Sequence, residues 1–195
     1  MITCMRLCVF CGSSTGTGPG YRDAADHVGR RLAERGIGLV YGGARVGTMG
    51  VIADGVLAAG GWVTGVIPQS LVDREVAHNG VDDLHVVADL HERKALMASL
   101  SDAFLALPGG AGTLEELFEV FTWAQLGLHD KPIALLDVDG YWQPMLRFLD
   151  HMAEQGFLKA EYRDMLIVDT DVDAILDRFP DHRPPRDKWS NGDAP

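Results

Sequence analysis

The sequence contains no apolar run that approaches the roughly 20 residues needed to cross a membrane as a helix. Basic residues are also in short supply, since 17 lysines and arginines stand against 28 aspartates and glutamates, for a formal net charge of −11. A surface with this charge repels nucleic acid and anionic lipid. The N-terminal residues show neither the basic region nor the apolar segment of a signal peptide. We therefore expect a cytoplasmic protein with no nucleic-acid partner and no membrane partner.

Cysteine is scarce, and the three cysteines, Cys4, Cys8 and Cys11, all lie near the N-terminus. Cys8 and Cys11 match the pattern C-x-x-C, but no second pair completes a zinc site, and a loop follows where a thioredoxin-type motif needs a helix start. The seven histidines show no ligand spacing, and Ala95 stands where the motif H-E-x-x-H, begun at His91, needs its second histidine. We expect buried thiols with a structural role, and no bound metal.

Two common nucleotide fingerprints are missing as well. The glycine-rich segment 42–50 lacks G-x-G-x-x-G, and Thr48 occupies the position of the Walker A lysine after Gly47. These absences disfavour an ordinary dehydrogenase and a P-loop NTPase. A turn-rich connection explains the segment 42–50 equally well at this point.

Apolar strand-like runs do alternate with segments of helix length along most of the chain. The predicted strands are 6–10, 38–41, 62–67, 84–87, 103–107, 133–136 and 165–168, and the predicted helices are about 21–35, 48–60, 89–101, 113–127, 141–155 and 171–179. This alternation predicts an α/β protein in three layers, with a central parallel sheet of about seven strands covered on both faces. Residues 1–180 are expected to form one domain, and the polar segment 181–195 a disordered tail.

The most informative motif is P-G-G-A-G-T-L-E-E at 108–116, directly after a predicted buried strand. Glycines that lead from a strand into a helix aim backbone N–H groups and the positive end of the helix dipole at one point, which suits a phosphate. The segment from Thr113 to Glu116 also reads as a capping box, with Thr113 at the N-cap and Glu116 at the third helical position. Capping alone is a sufficient explanation for these two residues.

Two other glycine-bearing loops are expected at the same edge of the sheet, since ligands bind beyond the carboxyl ends of parallel strands. They are the segments 11–14 and 42–50. Arg93 and Lys94 follow the fourth predicted strand, in a helix that Asp89 is expected to cap. In an acidic protein these two cations are candidates for holding an anionic substrate, and a solvated surface pair is the plainer alternative.

A second apolar strip is predicted on the helix after the glycine motif. At about 100° per residue, Glu116 lies near Val120 and Trp123, beside the core face of that helix. A helix that is apolar on two sides contacts something beyond its own core. We infer from this pattern a dimer interface near the site.

The segment 108–116, the run H-E-R-K at 91–94 and the segment 41–50 together resemble the Lonely Guy family of cytokinin riboside 5′-monophosphate phosphoribohydrolases. Members of this family are often labelled lysine decarboxylases. The resemblance covers residues 6–179, and P-G-G-x-G-T-x-x-E is its specific signature. The sequence departs from the family pattern at Ala44, where many members carry a third glycine. No segment resembles a pyridoxal phosphate site.

The resemblance implies a Rossmann-like homodimer that uses no metal or cofactor and hydrolyses the N-glycosidic bond of a nucleoside 5′-monophosphate. It implies that Arg93 and Glu116 form the catalytic pair. Substrate-binding positions carried over from the family are Glu75, Lys94, Gly109, Gly110, Ala111, Gly112, Thr113 and Thr122, and further candidates are Ser13, Gly43 and Met97. Cleavage develops positive charge on the ribose. A carboxylate such as Glu116 can stabilise this charge or orient the attacking water.

Two alternatives to this reading stay open. The first is a Rossmann-like module that binds or senses nucleotides without turnover. The second is a pyridoxal-dependent decarboxylase. The sequence also leaves open whether Arg93 holds the phosphate or assists the departing base, and whether the substrate carries a prenylated adenine or is AMP.

Overall fold

The computed structural model describes residues 5–74 and 76–186, and it is organised around one sheet of seven parallel strands in the order β4-β3-β2-β1-β5-β6-β7. The strands are β1 (Arg6–Phe10), β2 (Gly38–Tyr41), β3 (Val63–Pro68), β4 (Asp83–Val87), β5 (Ala103–Ala106), β6 (Ile133–Leu136) and β7 (Leu166–Asp169). The helices are α1 (Pro19–Glu34), α2 (Gly47–Ala58), α3 (Gln69–Val72), α4 (Leu90–Ser99), α5 (Ala111–Gln125), α6 (Gln143–Glu154), α7 (Ala160–Asp164) and α8 (Val172–Arg178).

Two layers of helices cover the sheet, because its central strands are apolar on both faces. Along β1, Leu7 and Val9 point into one core and Cys8 and Phe10 into the other, as strand geometry requires. The first core is shared with α1, α2 and α8, and the second with α4, α5, α6 and α7. The predicted α/β architecture with three layers and a seven-stranded parallel sheet is confirmed.

The strand order reverses beside β1. From β1 the chain proceeds through β2 and β3 to one edge of the sheet, and it returns at β5 to build the other half. In open parallel sheets a crevice forms at the carboxyl ends of the strands where the order reverses. The loops after β1 and β5 flank this crevice, and the loop after β2 lies next to it.

Helix boundaries differ from the sequence prediction more than strand boundaries do. The short helices α3 and α7 were not predicted, because four or five residues are too few to show helical periodicity. None of the helices in the described ranges is long and apolar enough to span a membrane. Residues 187–195 of the predicted tail lie outside the described residues, while the carbonyl of Arg186 accepts a hydrogen bond of 3.1 Å from the hydroxyl of Tyr162.

Cys8 and Cys11 are buried free thiols, and Cys4 lies outside the described residues. Burial raises the pKa of Cys11 to about 12 and holds the pKa of Cys8 well above its usual range. Both side chains are therefore neutral thiols at physiological pH, as expected for cysteines that fill space in a core.

Candidate active site

Helix α5 begins one residue after Gly110, which has extended backbone angles and occupies the N-cap. The prediction that Thr113 is the N-cap is therefore wrong. Neither Ala111 nor Gly112 has a polar side chain that competes for backbone hydrogen bonds, so the helix begins directly after the turn. Because the first amides of a helix have no intrahelical partner, the N–H groups of residues 111–113 are available to an anion.

The side chain of Thr113 adds a further donor at this helix start. Thr113 is 2% exposed, and its Oγ1 finds no hydrogen-bond partner among the described residues. The hydroxyl lies against Gly109, where an added Cβ would come within 2.1 Å of Oγ1. Gly109 is thus required for the close approach of the turn to the helix. The result is a helix start with an unpartnered buried hydroxyl.

Glu116 lies further along α5 and does not cap it, so the predicted capping box is wrong. Its side chain is only 11% exposed, and Oε1 lies 3.6 Å from Nη2 of Arg93. Burial raises the pKa of Glu116 to about 7, while Arg93 opposes this shift and the neighbouring Glu115 adds to it. A carboxyl group that titrates near neutral pH suits general acid–base chemistry.

Arg93 is held in place by the main chain of the sheet. Nε donates to the carbonyl oxygen of Val66 at 3.2 Å, and Nη2 donates to the carbonyl oxygen of Gly42 at 3.2 Å. A Cβ at position 42 would lie 1.8 Å from Nη2, so only glycine leaves room for this arginine. The guanidinium is 12% exposed and its position is fixed by residues from two neighbouring strand ends.

The N-terminus of α4 places Arg93 at the edge of the sheet. Asp89 is the N-cap, as predicted, and its Oδ1 accepts hydrogen bonds from the N–H groups of His91 and Glu92 at 2.8 and 2.9 Å. The carboxylate of Glu92 accepts a hydrogen bond from the N–H of Ala88 at 2.8 Å. These bonds fix where the helix begins.

A cavity of about 270 Å³ joins these groups. The three glycine-bearing loops that the sequence placed at one edge of the sheet all contribute to its wall. Its lining residues are Cys11, Ser13, Gly42, Ala44, Met49, Leu71, Arg93, Gly110, Ala111, Gly112, Thr113 and Glu116. The cavity therefore combines a helix start with free amides, a buried carboxyl group with a pKa near 7, and a fixed cation. Within the described ranges, no group of three or more His, Cys, Asp or Glu side chains could hold a metal ion.

Comparisons with known proteins identify the family. The cytokinin riboside 5′-monophosphate phosphoribohydrolase LOG1 of Arabidopsis thaliana is 48% identical over 183 residues, which cover 94% of this chain and 86% of that protein. The chain belongs to the Lonely Guy family. The probable cytokinin riboside 5′-monophosphate phosphoribohydrolase LOGL2 of Oryza sativa subsp. japonica is also 48% identical over 183 residues, covering 94% of this chain and 75% of that protein.

A family model and a solved structure also match the chain. A family model described as "Possible lysine decarboxylase" matches residues 49–179. The molybdenum cofactor binding protein of Rippkaea orientalis superposes with a TM-score of 0.70 over 93% of this chain and 98% of that chain, at 21% sequence identity. A likeness at this level of identity shows the fold alone, and that fold is Rossmann-like.

Lys94, a predicted substrate-binding residue of this Lonely Guy family member, does not line the cavity. Its Nζ contacts the carboxylate of Glu115 and lies 3.0 Å from Oε2 of Glu119, and its side chain is 7% exposed. Desolvation acts to lower the pKa of Lys94, but the hydrogen bonds to both glutamates outweigh it and leave this pKa above its ordinary value. A protonated, doubly paired amine is a poor nucleophile, so Lys94 is unsuited to forming a Schiff base with pyridoxal phosphate.

Three other predicted site residues, Met97, Thr122 and Gly43, are not among the residues that line the cavity. Met97 is buried in the core beneath α4, and Thr122 is exposed on α5, where it donates to the carbonyl oxygen of Phe118 at 2.7 Å. Gly43 packs its backbone against Val66 and Ile67 with a φ of 72°. Glu75 lies outside the described residues. The binding roles of all four remain predictions.

The sequence patterns did not identify several of the residues that line the cavity. Leu71 lines the cavity from the unpredicted helix α3. Met49 also lines it, but its segment 42–50 showed only a pattern of turns. Cys11 was interpreted as structural, yet it lines the cavity as well. Val120, predicted to lie on a second apolar strip, is buried in the core, so that strip does not include it.

Proposed function

We propose that this protein hydrolyses the N-glycosidic bond of cytokinin riboside 5′-monophosphates, and of AMP, and releases the free base and ribose 5-phosphate. The pairing of buried Glu116 with Arg93, beside the free amides at the start of α5, carries this proposal. The relatives named above carry the cytokinin riboside 5′-monophosphate phosphoribohydrolase activity in their names, which supports the first of these two substrates.

The start of α5 is the place for the 5′-phosphate. The amides of residues 111–113 and the hydroxyl of Thr113 are donors at one point, and the helix dipole adds partial positive charge there. Glu116 lies five residues after Ala111, which is about 7.5 Å along the helix axis at about 1.5 Å per residue. A ribose 5-phosphate held at the helix start by its phosphate extends along α5, which brings C1′ towards Glu116. Phosphate binding thereby contributes to positioning the reacting sugar.

Glu116 acts on the sugar and on the attacking water. As a carboxylate it stabilises the positive charge that develops on the ribose, and it accepts a proton from the water that attacks C1′. The C1′–N bond breaks with its electron pair going to the base, and the base takes up a proton, so one water is consumed for each bond cleaved. The positive charge of Arg93 favours the ionised form of Glu116 and attracts its carboxylate towards the guanidinium.

A product assay tests this function. Purified protein is incubated with AMP, and separately with isopentenyladenosine 5′-monophosphate, in the presence of a chelator, and free base and ribose 5-phosphate are quantified. We expect release from both nucleotides, and at least about 10²-fold less from Glu116→Gln. The exposed neighbour Glu115→Gln is the matched control and is expected to stay within about threefold of the parent. Tight AMP binding with no release of either product would favour a nucleotide-sensing module instead.

We propose that the protein is a homodimer in the cytoplasm. Leu90 is 54% exposed at the start of α4, and Leu114 and Phe118 on the adjacent helix α5 are only partly buried. Exposed apolar side chains concentrated on one helical layer favour burial against a second copy. Free thiols at Cys8 and Cys11 fit a reducing compartment. Light scattering should give twice the chain mass of 21.2 kDa, and a monomer at micromolar concentration would contradict the dimer.

A further inference from the structure

Thr48, which stands where a Walker A loop has lysine, makes two hydrogen bonds to one residue of the β1–α1 loop. The N–H of Gly12 donates to Oγ1 of Thr48 at 2.9 Å, and Oγ1 donates to the carbonyl oxygen of Gly12 at 3.1 Å. The N–H of Met49 donates to the same carbonyl at 3.3 Å. Thr48 is 2% exposed, so water does not replace these bonds.

The loop after β1 is packed closely between two helix starts. On the α2 side, an added Cβ at Gly47 would lie 2.3 Å from the carbonyl carbon of Ser13. On the α5 side, an added Cβ at Gly12 would lie 3.5 Å from Cα of Gly109. The loop therefore rests on the turn that precedes the anion-binding helix start, and any shift of Gly12 changes the geometry of that turn.

Ser13 and Cys11 of this loop both line the cavity, and Ser13 is the one that offers a hydroxyl. It lines the cavity together with the segment 110–113, and its neighbours Gly12 and Thr48 are buried. Hydrogen bonds to both backbone groups of Gly12 hold the peptide unit that carries the Ser13 amide, and so they place the Cα from which the Ser13 hydroxyl projects. Thr48 lines a neighbouring pocket beside Gly109 and Gly110 but not this cavity, so it acts on Ser13 through Gly12.

We infer that Thr48 is a positioning residue: it orients the β1–α1 loop so that Ser13 completes the phosphate-binding end of the site. This inference rests on the proposed function, because it takes the start of α5 as the phosphate site. Because Gly12 lies against Gly109, at the turn before the start of α5, Thr48 affects substrate affinity and leaves the chemical step unchanged. The hydroxyl, and not the bulk of the side chain, carries the effect.

The test compares Thr48→Val, which keeps the shape and loses the hydroxyl, with Thr48→Ser, which keeps the hydroxyl. We expect Thr48→Val to raise KM and the dissociation constant of ribose 5-phosphate by about tenfold, with kcat within about twofold of the parent. Thr48→Ser should stay within about threefold in every constant. Binding of free adenine, which lacks the phosphate, should not change in either variant.

Thr64→Val is the matched control, because Thr64 is equally buried at 2% exposure and lies near the start of β3, away from the carboxyl ends of the strands. It should leave ribose 5-phosphate binding unchanged. A loss of kcat without a change in ribose 5-phosphate affinity in Thr48→Val would overturn the inference, as would an equal loss in Thr64→Val.

Ser13→Ala provides a test that does not depend on the folding of a Thr48 variant. It should weaken ribose 5-phosphate binding and leave adenine binding unchanged. Unchanged ribose 5-phosphate affinity in Ser13→Ala would refute a role for the loop at the phosphate. Calorimetric titration with ribose 5-phosphate measures these affinities without turnover, so a protein that binds this ligand but hydrolyses no nucleotide would contradict the proposed function alone.

Discussion

Nη2 of Arg93 lies 3.6 Å from Oε1 of Glu116, although the two residues belong to different helices that follow β4 and β5. The guanidinium is tied to main-chain carbonyls on the sheet, so the distance depends on the sheet edge rather than on either helix alone. Burial raises the pKa of Glu116 to about 7 even though Arg93 opposes the shift, so the carboxyl is poised between its two protonation states at physiological pH. Five predictions follow from this site and its surroundings.

The pH dependence of kcat/KM should follow the ionisation of Glu116. Because the carboxylate form accepts the proton from water, kcat/KM should rise with pH and level off above about pH 7, where the pKa of Glu116 lies. Steady-state rates with AMP between pH 5 and pH 9, at roughly constant ionic strength, measure this profile. A profile that falls through neutral pH would assign Glu116 the role of a proton donor.

Replacing Arg93 should shift the pH profile of kcat/KM and also lower kcat/KM itself. Arg93 lowers the pKa of Glu116, so Arg93→Gln should raise the pH at which activity reaches half its maximum, and should reduce kcat/KM by about 10²-fold. Arg30→Gln removes an exposed arginine that pairs with Asp26, and it serves as the control. If the rate fell but the pH profile did not shift, Arg93 would have no influence on the ionisation of Glu116.

Because Glu116 is buried, the folded protein should become less stable as pH rises. Its pKa is about 7 in the folded protein against about 4.5 when unfolded, so the folded state binds more protons between these values, and stability falls across that window as pH increases. Glu116→Gln should therefore gain unfolding free energy relative to the parent at pH 8, by at most about 3 kcal/mol, and gain little at pH 4. Urea unfolding at the two pH values measures the difference, with the exposed Glu154→Gln as control.

Adding a single methyl group at Gly42 should inactivate the protein without unfolding it. The Cβ of Gly42→Ala would meet Nη2 of Arg93 at 1.8 Å and push the guanidinium away from Glu116. Misplacement of about 1 Å is enough to lower kcat/KM by about 10²-fold. Gly18→Ala, where the Cβ would meet nothing within 4 Å, is the matched control. Wild-type activity in Gly42→Ala would show that the position of Arg93 is not critical.

Removing the amine of Lys94 should destabilise the protein. Lys94→Met leaves the carboxylates of Glu115 and Glu119 facing each other with their shared cation gone. Breaking a buried ion pair costs about 3–5 kcal/mol, and since Glu115 is 59% exposed we expect about 2 kcal/mol here. Urea unfolding measures this loss, and the KM of the variant reports separately on the predicted binding role of Lys94. Unchanged stability would mean that the ion pairs contribute nothing.

Local patterns of residues were sufficient for the architecture and for the location of the site. Continuous apolar runs specify buried parallel strands because both faces of such a strand leave water, and the alternation with helices then determines the layers. The glycines at 109, 110 and 112 located an anion-binding helix start, because close backbone approach needs residues without side chains. Asp89 was recognisable as a cap from its type and position alone.

The tertiary structure decided which groups of the site meet and what they are able to do. The capping box at Thr113 and Glu116 was wrong because a helix starts where the backbone turns, at Gly110, and sequence alone placed that turn three residues too late. The neighbouring cations Arg93 and Lys94 diverge, one towards Glu116 and the other towards Glu115 and Glu119. Desolvation and charge proximity depend on neighbours brought together by folding, so the near-neutral pKa of Glu116 and the role inferred for Thr48 belong to the folded molecule alone.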